Sequence, residues 1–441
     1  VGGKGRKHPK EADVFLHIAM KVAKNCRYVE PQFTLRFDKE TSEEIWDEAL
    51  DALGAGATYP TLYNDDVNVP AVMYGMRVDE KTAEQYVPFG CTEFVIQGQS
   101  TGTPNICINL LKLLTIYMND GIDPIDGKRK SGPVSLKKLE EYQTFEEFYD
   151  GYKALLDYYL DLSVKAQYHS YEVMNQHVSF LFTSLLTDDC IARGKALLDG
   201  GVRYLGGTNE TYGNINTSDS LWVIRDLVFN QKKYTLRQLN DAMLANFNGY
   251  EALRKDCLNC DKYGNDLETA DTMANDLYEF VAKGVRDRGI AIGMQYFLIV
   301  ISNNQLNTEW GNRTAASPDG RLSCMYMNPA NNPQGGANKS GPTAMLNSLA
   351  KFDAKYHGGS VQNIKLSPSM FNGNRAVIKS LFKTYFAKGG CHLMVTVVDK
   401  GVLEDAVEHP ENYPDLIGRV SGFSAVFVDL SPNIQQELLS R

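Results

Sequence analysis

The sequence lacks the features that mark a membrane protein or a nucleic-acid-binding protein. No apolar run in its 441 residues approaches the roughly 20 that span a bilayer. Acidic residues outnumber basic ones, the net charge is −9, and no long basic tract is present. The basic start over residues 1–7 has no apolar stretch behind it, so no signal peptide is predicted. We therefore expect a cytoplasmic protein without membrane or nucleic-acid partners.

The chain also lacks a disulfide framework, an internal repeat and a low-complexity tract. Its eight cysteines are scattered along the sequence, which favours a reducing compartment. Cys257 and Cys260 have the spacing of a zinc or redox pair, but no second pair or nearby histidine accompanies them, so no metal site is predicted. The first residue is Val rather than Met, which suggests a fragment or a processed product.

What the sequence does contain is typical of a large α/β enzyme. Hydrophobic residues make up 43% of the chain and charged residues 22%, a balance typical of a globular protein with a large core. Apolar periodicity predicts long helices, for example over residues 10–27 and 267–288, and short strands over residues 28–37 and 391–398. Short strands separated by long helices predict an α/β barrel with its helices outside.

Local signals predict where several elements begin and end. Thr41 and Glu44 have the spacing of a capping box, so a helix is predicted to open there. A further helix is predicted over residues 106–119, and residues 204–220 are predicted to form a polar loop.

A stretch near the C-terminus carries the strongest functional signal. The alternation of Val426, Val428 and Leu430 predicts β-structure, with Gly422 at a turn. A glycine between two β-forming runs usually marks a bend, a bulge or a close approach of two backbones. From the pattern alone, that structural role is the expected one.

The string Arg-Val-Ser-Gly-Phe-Ser-Ala over residues 419–425 closely resembles the radical-bearing loop of the glycyl radical enzymes. In that family the glycine loses one Cα hydrogen and stores the unpaired electron. Glycine suits this role because its Cα can become planar and because the missing side chain leaves room for a sulfur neighbour. The resemblance therefore implies that Gly422 is the radical site.

Cys91 and Glu93 form the second part of the resemblance. A lone intracellular cysteine is usually a small buried hydrophobe. In a glycyl radical enzyme, however, a loop such as residues 88–98 would present Cys91 as the thiyl radical that takes hydrogen from the substrate. In an extended segment, Glu93 points the same way as Cys91 and can accept a proton from a substrate hydroxyl. The family places the cysteine loop and the glycine loop tip to tip inside one barrel.

The resemblance covers essentially the whole chain, for example the string over residues 341–350, but only the C-terminal half of a typical family member. It implies a ten-stranded β/α barrel with helices outside, of which this chain supplies roughly the C-terminal half. Residues 1–400 are assigned to the barrel and residues 401–441 to the glycine radical domain. We expect a homo-oligomer or a second chain that supplies the N-terminal half.

The residues around Cys91 indicate the branch of the family. Pyruvate formate-lyase has two adjacent cysteines, whereas Gly90 and Thr92 flank Cys91 here, which disfavours a formate acetyltransferase-like reaction. Cys-x-Glu resembles the eliminases and the arylacetate decarboxylases, although the commoner eliminase string has Val in place of Thr92. Asn105 stands where several polyol dehydratases have an acidic residue, so it is either a substrate ligand or a helix N-cap.

The resulting prediction is an anaerobic glycyl radical lyase that eliminates water or another group from a small polar substrate. Tyr204 and Arg313 are further candidates for the substrate pocket. The resemblance implies no bound cofactor and an S-adenosylmethionine-dependent activating enzyme that installs the radical. Two alternatives stay open: an arylacetate-type decarboxylase, and a non-enzymatic partner or repair chain that completes a split radical enzyme.

Overall fold

The computed structural model describes residues 2–5, 9–26, 28–102, 105–301 and 305–441. Residue 27, the predicted end of the first helix, and part of the basic start lie outside these ranges. Within them, the strands are β1 (Thr34–Phe37), β2 (Thr61–Asn64), β3 (Tyr86–Phe89), β4 (Glu93–Ile96), β5 (Asn105–Asn109), β6 (Gly206–Tyr212), β7 (Tyr296–Ile301), β8 (His357–Ser360), β9 (Asn363–Leu366), β10 (His392–Val397), β11 (Ile417–Arg419) and β12 (Ser424–Val426).

The helices separate these strands along the chain. They are α1 (Pro9–Cys26), α2 (Glu43–Gly54), α3 (Asp65–Met76), α4 (Glu80–Ala83), α5 (Leu110–Met118), α6 (Phe145–His177), α7 (Leu181–Leu185), α8 (Cys190–Arg193), α9 (Asn214–Val223), α10 (Leu236–Leu244), α11 (Glu251–Asn259), α12 (Glu268–Ala291), α13 (Leu306–Gly311), α14 (Gly341–Leu349), α15 (Pro368–Ala387), α16 (Lys400–Glu408) and α17 (Pro432–Ser440).

Two four-stranded sheets form the scaffold of the described residues. One has the strand order β5-β6-β7-β8 and is parallel throughout. The other has the order β1-β2-β10-β9, in which β2 and β10 run antiparallel and the outer pairs run parallel. Every residue of β2, β6, β7 and β8 is buried, as expected when helices cover a parallel sheet. Helix α12 packs against α6, α9 and β7.

Two hairpins are not paired with the strands of these sheets. Strands β3 and β4 pair antiparallel around a turn that holds Cys91, and β11 and β12 pair antiparallel around a turn that holds Gly422. The second hairpin packs with α16 and α17 in its own small core, which includes Leu403, Phe427 and Leu438.

The structure overturns four local predictions. The β-structure predicted over residues 426–430 ends at Val426, and Phe427–Asp429 form a 3-10 helix. Residues 206–212, within the predicted polar loop, form the buried strand β6. The strand requires glycine at residue 207, since a Cβ there would lie only 2.8 Å from the ring of Phe297 on the neighbouring strand. The predicted helix over residues 106–119 begins only at Leu110, after β5. The capping box at Thr41 is also wrong.

The cap of α2 explains the last of these errors. The side chain of Ser42 accepts a hydrogen bond from the amide of Ile45, so Ser42 is the N-cap. The Thr41 hydroxyl accepts a bond from the amide of Asp38 and serves the preceding turn instead.

Candidate active site

The turn of the β3–β4 hairpin carries Cys91 at its tip. The hairpin pairs Phe89 with Glu93, and the amide of Thr92 donates to the carbonyl of Phe89 at 3.2 Å. Gly90 and Thr92 both have positive φ angles, 54° and 104°. Such a tight turn projects the Cys91 side chain away from the two strands.

The turn of the β11–β12 hairpin carries Gly422. The amides of Val420 and Ser421 both donate to the carbonyl of Phe423, at 3.1 and 3.3 Å. The predicted turn at Gly422 is therefore present.

The two turns touch. A Cβ built on Gly422 would lie 2.7 Å from Cβ and 2.8 Å from Sγ of Cys91, so no side chain fits between them. Because a Cα–Cβ bond is about 1.5 Å long, the Cα of Gly422 lies within about 4.3 Å of the sulfur. The predicted tip-to-tip contact of the two loops is confirmed.

Gly359 in β8 allows the Cys91 hairpin to lie directly on the sheet. Its φ is +145°, and a Cβ there would lie 2.7 Å from the carbonyl carbon of Thr92 and 3.0 Å from the amide nitrogen of Glu93. The backbone of the hairpin turn thus passes where any other residue would have a side chain.

The environment of Cys91 keeps its thiol protonated. The side chain packs against Ala330, Val361 and Met394. Burial, followed by the charges of Glu93 and Glu210, raises the pKa of Cys91 to about 12. A nucleophilic cysteine needs the opposite shift. The raised pKa suits chemistry that uses the S–H bond, as hydrogen-atom transfer does.

Glu93 is buried beside this thiol, with only 4% of its surface exposed. Its Oε1 accepts a hydrogen bond from Asn105 Nδ2 at 3.2 Å, and Oε2 has no hydrogen-bond partner among the described residues. Burial, together with the charge of Glu210, raises the pKa of Glu93 to about 7. A carboxyl group with a pKa near 7 can act as a general base at neutral pH.

Asn105 is the first residue of β5 and does not cap a helix. The N-cap of α5 is Asn109, whose side chain accepts from the amide of Lys112. The alternative role for Asn105 as a helix N-cap is therefore wrong, and its side chain lies beside Glu93.

Sequence reasoning missed Glu210, which lies on the other side of Asn105. Asn105 Nδ2 donates to Glu210 Oε1 at 2.7 Å, and the Tyr212 hydroxyl donates to Glu210 Oε2 at 2.5 Å. Thr208 in turn donates to Asn105 Oδ1 at 2.5 Å. The alternation of Thr208, Glu210 and Tyr212 was the available signal, because alternate residues of a strand share one face.

Tyr204 and Arg313 lie apart from this network. Tyr204 packs with an apolar cluster that includes Tyr86, Phe94 and Leu298. Arg313 is exposed, and its carbonyl accepts a hydrogen bond from Lys112 Nζ at 2.7 Å. Their role in substrate binding stays a prediction.

Arg419 anchors the glycine loop against the sheet. It is 1% exposed, donates to Ser424 Oγ at 3.1 Å, and lies with its Nε 3.3 Å from the sulfur of Met394. Ser424 donates in turn to Thr58 Oγ1 at 2.8 Å, and the Arg419 guanidinium lies 5.0 Å from the ring centre of Tyr59. These contacts keep the Gly422 turn inside the protein.

Cys257 and Cys260, the pair with zinc or redox spacing, show no comparable arrangement. Cys257 is buried, which raises the pKa of its thiol to about 12, and Cys260 Sγ contacts the carbonyl of Asp256 at 3.4 Å. Within the described ranges, no group of three or more His, Cys, Asp or Glu residues is arranged to hold a metal ion. No helix within those ranges has both the length and the apolar character needed to cross a membrane.

Two family models match the chain. The model "Pyruvate formate lyase-like" matches residues 1–306, and the model "Glycine radical" matches residues 327–428. The chain belongs to the glycyl radical enzymes of the pyruvate formate lyase-like family. The predicted membership of this family is thus confirmed, and the second model supports a glycine as the radical site.

Curated relatives of this family include dehydratases. The chain is 29% identical over 428 residues to a trans-4-hydroxy-L-proline dehydratase of Clostridioides difficile, covering 96% of this chain and 54% of the relative. It is 26% identical over 493 residues to a 4-hydroxyphenylacetate decarboxylase glycyl radical subunit of the same species, again covering 54% of the relative. The chain thus spans about half the length of the curated relatives that it matches.

Solved structures of the family have the same fold. The glycerol-bound B12-independent glycerol dehydratase from Clostridium butyricum superposes with a TM-score of 0.90 at 29% identity, covering 96% of this chain and 54% of the other. The hydroxyproline dehydratase from Clostridioides difficile with bound substrate superposes with a TM-score of 0.90 at 28% identity. This match also covers 96% of this chain and 54% of the other. The predicted α/β glycyl radical enzyme fold is confirmed.

Proposed function

We propose that the protein is a glycyl radical lyase that cleaves a carbon–oxygen bond, most simply a dehydratase. The observation that carries the proposal is the contact of Gly422 with Cys91, beside the buried carboxyl group of Glu93. The dehydratases among its relatives support the same reaction class.

In this proposal the hydrogen atoms move through Cys91. The Gly422 radical takes the hydrogen atom of the Cys91 thiol, and the resulting thiyl radical takes one from a substrate carbon. Glu93 accepts the proton of the hydroxyl group on that carbon. The neighbouring carbon then loses its hydroxyl group, which leaves as water with that proton. The product radical recovers a hydrogen atom from Cys91.

Two other reactions of the family have weaker support. A formate acetyltransferase-like reaction uses two adjacent cysteines, and Gly90 and Thr92 flank Cys91 here. An arylacetate-type decarboxylase remains the alternative enzyme, since one relative is named as a 4-hydroxyphenylacetate decarboxylase subunit.

A partner or repair chain would need only the glycine loop, so Cys91 and Glu93 argue against it.

The proposal includes partners and a location. A radical S-adenosylmethionine enzyme would install the radical on Gly422, with no other cofactor bound. The protein would form a homo-oligomer, or a second chain would supply the N-terminal half of the barrel, in the cytoplasm of an anaerobically growing cell. Residues 1–400 would form the barrel part and residues 401–441 the glycine radical domain.

Activation under anoxia tests the proposal. We expect an EPR doublet after incubation with a radical S-adenosylmethionine activating enzyme, and its collapse to a singlet when the protein contains α-deuterated glycine. Gly422→Ala should give no signal. Cys91→Ser should retain the doublet but abolish turnover, because an O–H bond is harder to cleave homolytically than an S–H bond. Turnover by Cys91→Ser would refute the proposed role of the thiol.

A further inference from the structure

A cavity of about 290 Å³ lies between the glycine hairpin, formed by β11 and β12, and the edge strand β9. Ile417 of β11, Leu403 of α16 and Leu438 of α17 line it, and so do Asn363 and Lys365 of β9. In another protein, an apolar cavity of about 150 Å³, roughly half this volume, is large enough to bind benzene. The cavity therefore has room for a molecule of about ten non-hydrogen atoms.

Apolar side chains line most of this cavity. Leu403, Phe427 and Leu438 come from the small core beneath the glycine hairpin, and Met345 and Met370 come from α14 and α15. Small-molecule sites are typically apolar, with a small number of polar groups that fix the orientation of the ligand. A ligand of this cavity therefore needs an apolar portion.

Asn363 brings an amide side chain without partners to the cavity wall. Its backbone N–H donates to Asn332 Oδ1 at 2.8 Å, and its carbonyl accepts from Asn332 Nδ2 at 2.7 Å. The residue is only 6% exposed, yet neither its own Nδ2 nor its own Oδ1 has a hydrogen-bond partner among the described residues. Because a buried polar group without a partner costs free energy, a ligand that hydrogen-bonds this amide is favoured.

Lys365 brings a positive charge to the same wall. Its Nζ donates to the carbonyls of Leu438 and Leu439, at 3.1 and 3.3 Å. An ammonium group has three donors, so one is left for a ligand. Burial, followed by the charges of Arg441 and Lys400, lowers the pKa of Lys365 to about 8. The side chain is therefore mainly protonated at pH 7, in surroundings that already hold other cations.

The carboxylates near Lys365 are paired with those other cations. Glu437 lies 2.6 Å from Arg441, and Glu404 lies 3.4 Å from Lys400. Both glutamates act on Lys365 through charge and not through a hydrogen bond. The ammonium group thus lacks an ion-pair partner among the described residues, and an anion in the cavity would supply one.

We propose that this cavity binds a small molecule that has a carboxylate and an apolar tail. Asn363 and Lys365 are alternate residues of β9, so they share a face at a spacing of about 6.6 Å along the strand. The two oxygens of one carboxylate accept from Lys365 Nζ and Asn363 Nδ2, and the tail packs against Leu403, Phe427 and Leu438. The bound molecule joins the glycine hairpin and its helices to β9.

Three probes with the same six-carbon chain test the preference for an anion. Hexanoate, hexan-1-ol and hexylammonium differ in one terminal group, which is a carboxylate, a hydroxyl and an ammonium. Titration calorimetry of the unactivated protein should show that hexanoate binds about tenfold more tightly than hexan-1-ol, because hydrogen bonds to charged groups are the stronger ones. Hexylammonium should bind more weakly than either.

Variants of the two polar residues locate the carboxylate. Lys365→Met and Asn363→Leu should each weaken hexanoate binding about tenfold, whereas Lys365→Arg keeps the charge and should keep the preference for hexanoate. Lys388 is the matched control, because its Nζ also donates to an amide oxygen, Asn347 Oδ1 at 2.8 Å, and it does not line the cavity. Lys388→Met should leave all three affinities unchanged. Circular dichroism of each variant establishes that it is folded.

Amide hydrogen exchange tests where hexanoate binds. Ile417 and Gly418 line the cavity, so saturating hexanoate should slow exchange over residues 417–426 in the wild type and in Lys388→Met, but not in Lys365→Met. Equal affinities for hexanoate and hexan-1-ol would overturn the inference. Undiminished hexanoate binding in Lys365→Met, binding that leaves this exchange unchanged, or no binding at all would do so as well. These measurements need no radical, so they are independent of the proposed lyase reaction.

Discussion

At the scale of single residues, Glu93 should set the pH dependence of turnover. Burial and the charge of Glu210 raise its pKa to about 7, and a general base must be ionised to accept a proton. The turnover number of the activated enzyme should therefore rise roughly fifteenfold from pH 5.5 to pH 7 and level off above pH 8. The EPR amplitude at each pH serves as the control for radical content. A rate that falls over this range would contradict the assignment.

The same shift in pKa should appear in the stability of the unactivated protein. The pKa of Glu93 is about 7 in the folded protein and 4.5 for an ordinary glutamate, so the folded state binds the extra proton between these values. The contribution of Glu93 to the free energy of unfolding should thus fall by about 3 kcal/mol as the pH rises from 4.5 to 7.

Glu93→Gln removes this proton-binding site and isolates its contribution. The stability of wild type relative to Glu93→Gln should be highest near pH 4.5 and should decline towards pH 7, measured from thermal unfolding at several pH values. If the difference in stability between wild type and Glu93→Gln is constant with pH, Glu93 has an ordinary pKa.

At the scale of elements, Gly359 in β8 should control the position of the cysteine hairpin. A Cβ at this position would overlap the backbone of Thr92, and the φ of +145° disfavours other residues. Gly359→Ala should move Cys91 away from Gly422 and reduce turnover at least tenfold, although it alters no reacting group. Radical transfer can be followed by hydrogen exchange between solvent deuterium and Gly422. Gly401→Ala in α16 is the control, because its Cβ meets no atom within 4 Å.

The C-terminal helix α17 should restrain the glycine hairpin through Arg441. Its guanidinium donates to the carbonyls of Arg419 and Val420, at 3.1 and 2.6 Å, and pairs with the buried Glu437 at 2.6 Å. Breaking a buried ion pair typically costs 3–5 kcal/mol. In Arg441→Ala we therefore expect amide hydrogen exchange over residues 417–426 to accelerate at least tenfold, and activation to become faster.

An exposed ion pair on α16, a helix that packs in the same small core as the glycine hairpin, is the control for this variant. Lys400 and Glu404 lie 3.4 Å apart on the surface of α16, where such pairs contribute little. Lys400→Ala should leave the exchange of residues 417–426 unchanged. Equal exchange in the Arg441→Ala variant and the wild type would show that α17 does not hold the hairpin.

Some elements could be predicted from the sequence and others could not, for physical reasons. The long helix α12 has a regular apolar face, and its observed range, Glu268–Ala291, agrees with the prediction over residues 267–288 within three residues. Strand β6 was not predicted because its sequence, Gly206–Tyr212, begins with two glycines and continues with polar residues, a composition typical of a loop. Those glycines fit against the aromatic rings of Tyr296 and Phe297, and such a contact is visible only in three dimensions.

At the scale of the whole molecule, the active site joins segments that are distant in sequence. Cys91 and Gly422 are 331 positions apart, and no periodicity links them. The family resemblance predicted their contact, which the described structure confirms. Glu210 lies in neither loop, and its place beside Asn105 follows only from the pairing of β5 with β6. The loop motifs therefore indicate the chemistry, and the sheet places Asn105 and Glu210 beside Glu93.

An exposed apolar patch over residues 178–191 should make this chain associate in solution. Phe182 is 75% exposed and Leu186 is 69% exposed, and neighbouring residues of the patch are similarly open. Contiguous apolar surface of this kind usually marks an interface. Light scattering after size exclusion should give a mass above that of one chain. Phe182→Ser with Leu186→Ser should shift the mass towards the monomer, whereas Val377→Ser, at an exposed valine of α15, should not. A monomeric wild type would refute the prediction.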